Sequence, residues 1–328
     1  MKPADHTPRA LSESALGDVF PGPFRTSPHQ QEAQRRATAW AQRFQLTDRP
    51  AITSSCAQAS AVILPDADLD AVALSVDLAV WLVAFDDRHV EVDDAQVDDA
   101  QAAAAQAAAA LSRLLAEFVT VMNSGTGAPA AERSPFAAAL HDLLARFRAR
   151  STASQYAHLT ASLRDSFLAM VWDAHHGRRP AEVTLADYSA MRSYTILARP
   201  FMVVARIAAA HDPSQDLLDS PRFRRLEDEA ATLCGWINDL VSYHREIARG
   251  HGDVLALQTI LARDTGGDLE AASALAADHT RRKALHVRHL LDELASGADP
   301  HPEHASLIEH VVRGAVQQIT YARYATRS

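Results

Sequence analysis

Two stretches of the chain set oxygen-bearing side chains at helical spacing. In "WLVAFDDRHVE", residues 81–91, an apolar run ends in Asp86 and Asp87, with Glu91 four residues past the second. In "NDLVSYHRE", residues 238–246, Asn238, Ser242 and Glu246 recur at every fourth position. On a helix, Asp87 and Glu91 share a face, and Asp86 lies about 100° round from Asp87. The second set drifts only about 40° per step and makes one stripe of amide, hydroxyl and carboxylate. Hard oxygen donors of this kind suit magnesium, which typically takes one or two carboxylates, keeps waters and binds substrate phosphates.

Each stretch also has a plain structural explanation. The run "VDDAQVDD" that follows the first is itself acidic, and a solvated acidic face is common. Against it stands "AVWLVAF", apolar on every face and so expected to be buried all round; a buried helix that ends in carboxylates needs something to neutralise them. The second stretch is harder to dismiss, because asparagine and serine prefer caps and turns to the interior of a long helix. At residue frequencies of about one in twenty, Asn, Asp, Ser and Glu at four set places arise by chance at roughly 10⁻⁵ per start position. That rarity favours function.

The elements that must hold these groups are helices. The chain has 328 residues, 48% of them hydrophobic, only 12 glycines and long stretches without glycine or proline, which predicts an all-α fold. Residues 1–30, rich in proline and polar residues, are expected to form an extended N-terminal arm. From residue 31 to 328 the pattern predicts one helical domain of many helices, since no later linker is long enough to divide it and no repeat is evident.

Candidate helices cover 68–91, the alanine-rich 95–122, a segment opened by Ser134-Pro135, 155–176, a segment opened by Thr184 and Asp187, one from Ser220-Pro221 to the glycines near 250, 268–296 and 303–326. Pro200 should kink or break the helix that starts at Thr184.

A formal charge of −9 argues against nucleic acid, which demands a dominant basic surface. No stretch approaches the ~18 apolar residues of a membrane span, and no leader pattern opens the chain. Cys56 and Cys234 lie far apart with no CxxC spacing, which fits reduced thiols in a cytoplasm. The scattered histidines, His175, His176, His286 and His289 among them, suit the surface.

The pair "DDRHVE" and "NDLVSYHRE", about 150 residues apart in a helical chain of this length, resembles the bacterial class I terpene synthases with their aspartate-rich motif and NSE triad. The resemblance covers roughly residues 20 to 325 and implies a single-domain all-α bundle around a central active-site cavity. It implies three magnesium ions, two on Asp86 with Asp87 and Glu91 and the third on Asn238, Ser242 and Glu246. It also implies a diphosphate-sensing arginine 46 residues before the NSE asparagine, which is Arg192, and a terminal arginine–tyrosine pair, Arg323 and Tyr324. Arg245 occupies a place where the family often carries a further diphosphate ligand.

The implied reaction is the ionisation of a linear prenyl diphosphate, farnesyl diphosphate first and geranylgeranyl diphosphate next, followed by cyclisation to a hydrocarbon or alcohol. The enzyme would act as a monomer or homodimer, with no nucleic acid or membrane partner.

Helical geometry puts Leu82 and Val83 beneath Asp86 as a pocket floor, with Phe167, Met170 and Phe201 as candidate walls; each has a core-packing explanation at least as good. The resemblance maps a linker and an effector onto Thr195 and Ile196, where the family often has glycine at the second. Gln317 stands where an aromatic is common. Two rivals remain, a chain-elongating prenyltransferase and a non-catalytic helical protein. The first typically carries two DDxxD motifs, and the second motif here is of the NSE type.

Overall fold

The structure, a computed structural model, describes residues 16–89, 100–124, 134–177, 180–248 and 254–325. Every regular element among them is helical. In chain order these are α1 (Gln30–Arg43), α2 (Pro50–Ile63), α3 (Leu69–His89), α4 (Ala100–Ser124), α5 (Pro135–Arg150), α6 (Ala153–His176), α7 (Leu185–Thr195), α8 (Ala198–Ala208), α9 (Gln215–Leu218), α10 (Pro221–Ala248), α11 (Leu257–Leu261), α12 (Leu269–Ser296) and α13 (Pro302–Ala325), with a 3₁₀ turn at Pro180–Glu182. None of the described helices is long and apolar enough to cross a membrane.

Local chemistry sets the starts. Ser134 caps α5 by accepting from the Ala137 N–H, with Pro135 where a missing donor costs nothing. Thr152 and Gln155 form a full capping box on α6, and Thr184 accepts from the Asp187 N–H at the start of α7. The break expected from Pro200 falls between Thr195 and Ala198, with Leu197 in the left-handed region at φ 64°. Pro200 cannot donate to the carbonyl of Ile196, so the ladder stops there and Pro200 sits in the first turn of the next helix.

Helix α3 is the hub of the core, and the expectation of burial on every face holds for nearly its whole length. Val76, Leu78, Val80, Trp81, Leu82, Ala84 and Phe85 are all buried, while Val83 is 40% exposed. The Trp81 ring stacks on Phe85 at 5.4 Å and meets the edge of Phe118 at 5.1 Å, and its indole N–H donates to the Phe136 carbonyl at 2.9 Å. Aromatic contacts of this kind add about 0.5–1.5 kcal/mol each beyond area burial.

Around this hub, α3 packs on α1, α2, α5 and α8, whereas α10 packs on α7, α12 and α13. The two motif helices share α8 as a neighbour and otherwise lean mainly on different ones. The described part of the expected arm packs on the bundle. From residue 16 onward Leu16, Val19 and Phe20 join the main buried cluster, and the Ser27 N–H donates to the Ala61 carbonyl at 2.9 Å.

Candidate functional site

The NSE helix, α10, carries Asn238 half-buried and Ser242 buried, one turn apart on one face. Across from them α7 presents Arg192. Its Nη2 donates to the Asn238 Oδ1 at 2.8 Å, and its Nη1 donates to the Thr195 Oγ1 at 3.3 Å. The same guanidinium holds Asp239, with Nε and Nη2 at 3.0 and 2.8 Å from one carboxylate oxygen. Three sequence-predicted residues, Asn238, Arg192 and Thr195, thus share one guanidinium although the first two stand 46 positions apart.

Asp239, Tyr188 and Gly235 are absent from the sequence-derived set. The Asp239 side chain is 3% exposed and that of Arg192 is 16% exposed. The second carboxylate oxygen of Asp239 accepts from the Tyr188 hydroxyl and, at 3.2 Å, from the Leu257 N–H at the start of α11. Burial pushes the Asp239 carboxyl up, while Arg192 and the donors around it pull the other way. Burial and the neighbouring carboxylate push the Tyr188 hydroxyl well up, which keeps its proton in place to donate.

The sequence carries a signal for Gly235 and for the spacing of these residues, though not for the pairing of Asp239 with Tyr188. Tyr188 stands four before Arg192, Gly235 four before Asp239, and a glycine inside a long helix asks for a packing reason.

The acidic motif is placed in part. Asp86 and Asp87 are both half-buried near the end of α3. Asp87 pairs with Arg49 at 2.6 Å, at the start of α2, and Arg88 donates to the Leu46 carbonyl at 3.0 Å, so two of the motif's side chains tie α3 to the α1–α2 connection. Glu91 lies outside the described residues, and so do the side chains of Arg245, Glu246, Arg323 and Tyr324. Among the described residues, no three His, Cys, Asp or Glu side chains gather as a metal cluster. The donors that are placed, an amide oxygen, a hydroxyl and carboxylates, are hard oxygen groups and fit a divalent cation of the magnesium kind.

The pocket candidates divide. Leu82, Phe167 and Met170 are each 2% exposed. The Phe167 ring lies 5.9 Å from Trp81 and 5.5 Å from Phe118, so packing is the role the structure gives it. Val83 is open, Ile196 and Phe201 are half-buried against the main cluster, and Gln317 is half-buried on α13.

Comparison with known proteins extends this geometry. Residues 77–284 match the family model described as "Terpene synthase family 2, C-terminal metal binding", a span that runs from within α3 to within α12 and includes both motifs. A (12E)-labda-8(17),12,14-triene synthase of Streptomyces anulatus is 38% identical over 98% of this chain and 97% of its own length. A labda-7,13(16),14-triene synthase of Streptomyces clavuligerus is 32% identical over 89% of this chain and 83% of its own.

The fold is similar to that of the crystal structure of germacradien-4-ol synthase from Streptomyces citricolor, with a TM-score of 0.71 at 20% identity, covering 91% of this chain and 94% of that one. A metal-binding family model across both motifs, two relatives above 30% identity that align over most of the chain, and a shared all-helical fold agree. The chain belongs to the bacterial class I terpene synthases, metal-using lyases that act on prenyl diphosphates.

Proposed function

We propose that the α7–α10 face around Arg192 and Asn238 is where this chain ionises an allylic C20 diphosphate, and that a labdane-type polyene leaves as product. The observation that carries the site is the hydrogen bond from Arg192 to the Asn238 Oδ1, which joins the sensor position to the NSE position. Asp86, Asp87 and Glu91 on one side and Asn238, Ser242 and Glu246 on the other would hold three magnesium ions. When bound, the ions would act as Lewis acids and take up the charge that develops on the departing diphosphate.

The chain's own groups do the rest. Arg192, Arg245 and Arg323 would add charge-assisted hydrogen bonds to the diphosphate oxygens, and Tyr324 a hydroxyl donor. Thr195 and Ile196 stand at the helix break beside Arg192, where a movement of the guanidinium would reach the pocket. Val83, Phe201 and Gln317 are the candidate surfaces for the cation, while Leu82, Phe167 and Met170 support them from the core. The apolar Val83 and Phe201 offer an allyl cation no nucleophile that could capture it. Residues 31–328 would serve as one catalytic domain in the cytoplasm, as a monomer or homodimer.

Support for C20 comes from the two labdatriene synthases at 38% and 32% identity. A farnesyl substrate, the first expectation from the chain alone, gains nothing from them. Their products' name adds a chemical constraint. The labdane skeleton has two fused rings far from the carbon that bears the leaving group. Loss of diphosphate gives an allyl cation at the other end, and loss of a proton next to that cation then makes a side-chain diene. Neither step closes the fused rings, so the substrate that suits this chemistry arrives with its rings already formed.

The test offers purified protein with magnesium a bicyclic labdane-type diphosphate, linear geranylgeranyl diphosphate and farnesyl diphosphate, with extracts analysed by gas chromatography and mass detection. The expected result is a C20 triene from the bicyclic substrate at the highest kcat/KM. Turnover of farnesyl diphosphate alone would contradict the C20 assignment.

A further inference from the structure

Gly235, Asp239 and Tyr188, none of them an expected metal or diphosphate ligand, gather around the Arg192 side chain and its partner carboxylate. The Arg192 stem crosses α10 at Gly235, where a Cβ would stand 2.6 Å from the arginine Cγ. Any other residue at 235 would push the stem off α10. A glycine inside a helix costs about 1 kcal/mol relative to alanine, so the gap needs a compensating role. One turn on, Asp239 takes Nε and Nη2 on one oxygen.

Asp239 is itself fixed by the Tyr188 hydroxyl, the Leu257 N–H and, through its backbone carbonyl, the Gln258 side chain at 3.1 Å. Tyr188 and Arg192 lie one turn apart on α7, as Gly235 and Asp239 do on α10. The two pairs therefore face each other across one helix interface.

We infer that Gly235, Asp239 and Tyr188 form a cradle that positions Arg192, with Asp239 as its principal positioning residue, so that Nη2 is delivered at the Asn238 Oδ1 where diphosphate and cation meet. This rests on the proposed function in taking Arg192 as a diphosphate ligand. A carboxylate held by the Tyr188 hydroxyl and the Leu257 N–H cannot follow the guanidinium, so Asp239 fixes the pivot at Nε and Nη2 while Nη1, on the Thr195 hydroxyl, is the nitrogen placed to turn toward a ligand. Gly235 supplies the lane in which the stem lies, and α11, through Leu257 and Gln258, ties the pivot to the next part of the chain.

The probe is inorganic diphosphate with magnesium, titrated calorimetrically into the full chain, with circular dichroism as the control for folding. Asp239→Asn and Gly235→Ala are each made in the Arg192 background and again with Arg192→Ala. If they act through the arginine, each weakens diphosphate binding by about tenfold or more in the first background. With Arg192→Ala present, the further loss is then under about twofold. Tyr188→Phe should follow the same pattern with a smaller factor.

Equal losses in both backgrounds, or no loss with Asp239→Asn, would overturn the cradle while leaving Arg192 a diphosphate ligand. If Arg192→Ala alone leaves the affinity unchanged, the sensor assignment fails and the cradle fails with it. Should Asp239→Asn not fold, Gly235→Ala carries the same comparison, because alanine favours the helix and any loss of affinity then comes from the displaced stem.

Discussion

A lysine at position 192 would keep the positive charge but lose the fork. In the structure one guanidinium reaches Asp239 through Nε and Nη2, Asn238 through Nη2 and Thr195 through Nη1, and a single ammonium on a flexible stem cannot span those acceptors at once. Arg192→Lys is therefore expected to lower kcat/KM by about a hundredfold, with helical content unchanged. Steady-state kinetics beside circular dichroism checks this, and activity within about threefold of the parent would show that charge alone suffices.

At this scale the shared face of Asn238 and Ser242 was legible, because spacing along a helix fixes which side chains stand together, whereas Arg192 was named only through the family resemblance. Asp239 and Tyr188 were not legible. Their partners come from elements 51 positions apart, and nothing in a linear pattern says that an aspartate beside a ligand asparagine will turn inward to a tyrosine. Phe167 and Met170 illustrate the opposite difficulty, since an apolar residue at helical spacing suits a pocket wall and a core equally well.

Among the helices, starts and stops were legible where the chemistry is local. Ser134-Pro135 and Thr184 with Asp187 open helices where they were expected to, Ser134 and Thr184 each accepting an amide hydrogen; Thr152 with Gln155 and Asp268 cap their helices in the same way. The break before Pro200 followed from the proline, although its left-handed residue turned out to be Leu197, a position where glycine is the usual choice.

The short helices α9 and α11 carry no periodicity of their own and were missed. Yet α11 matters, because its first amide holds Asp239. Thr152 offers an element-scale test. It caps α6, and its hydroxyl also donates to Asp212 at 2.7 Å. Thr152→Ala should cost about 1 kcal/mol of stability, seen as a lower urea midpoint. No change would mean that packing alone holds the start of α6.

For the molecule as a whole, pH dependence follows from Asp77, buried in α3 two turns before the aspartate-rich motif. Arg146 lies 2.7 Å from one of its oxygens, and the other has no hydrogen-bond partner among the described residues. Burial pushes the carboxyl up to about 6 against the pull of Arg146. An unfolded aspartate titrates near 3.9, so between about pH 4 and 6 the folded chain holds a proton that the unfolded chain has lost. Stability from this residue is thus greatest below that window, falls as pH rises through it and is flat above, a change of about 3 kcal/mol. Asp77→Asn should flatten that slope in urea melts at pH 4.5 and 7, and an unchanged slope would assign it elsewhere.

The all-helical fold was legible from composition because alanine-rich, glycine-poor sequence leaves few alternatives. The packing of residues 16–29 onto the bundle was not, because proline-rich segments give no period from which burial could be inferred.

The proposed role of the Arg192–Asn238 face is to ionise a prenyl diphosphate with the help of a divalent cation. Its most direct test is diphosphate release from a bicyclic C20 allylic diphosphate, followed with and without magnesium for the parent chain and for Asn238→Ala. Release by the parent is expected to stop when the metal is chelated and to return on adding magnesium. Asn238→Ala, still helical, is expected to release diphosphate at least about a hundredfold more slowly. Release by Asn238→Ala at the parent's rate, or release that survives chelation, would contradict the proposed role.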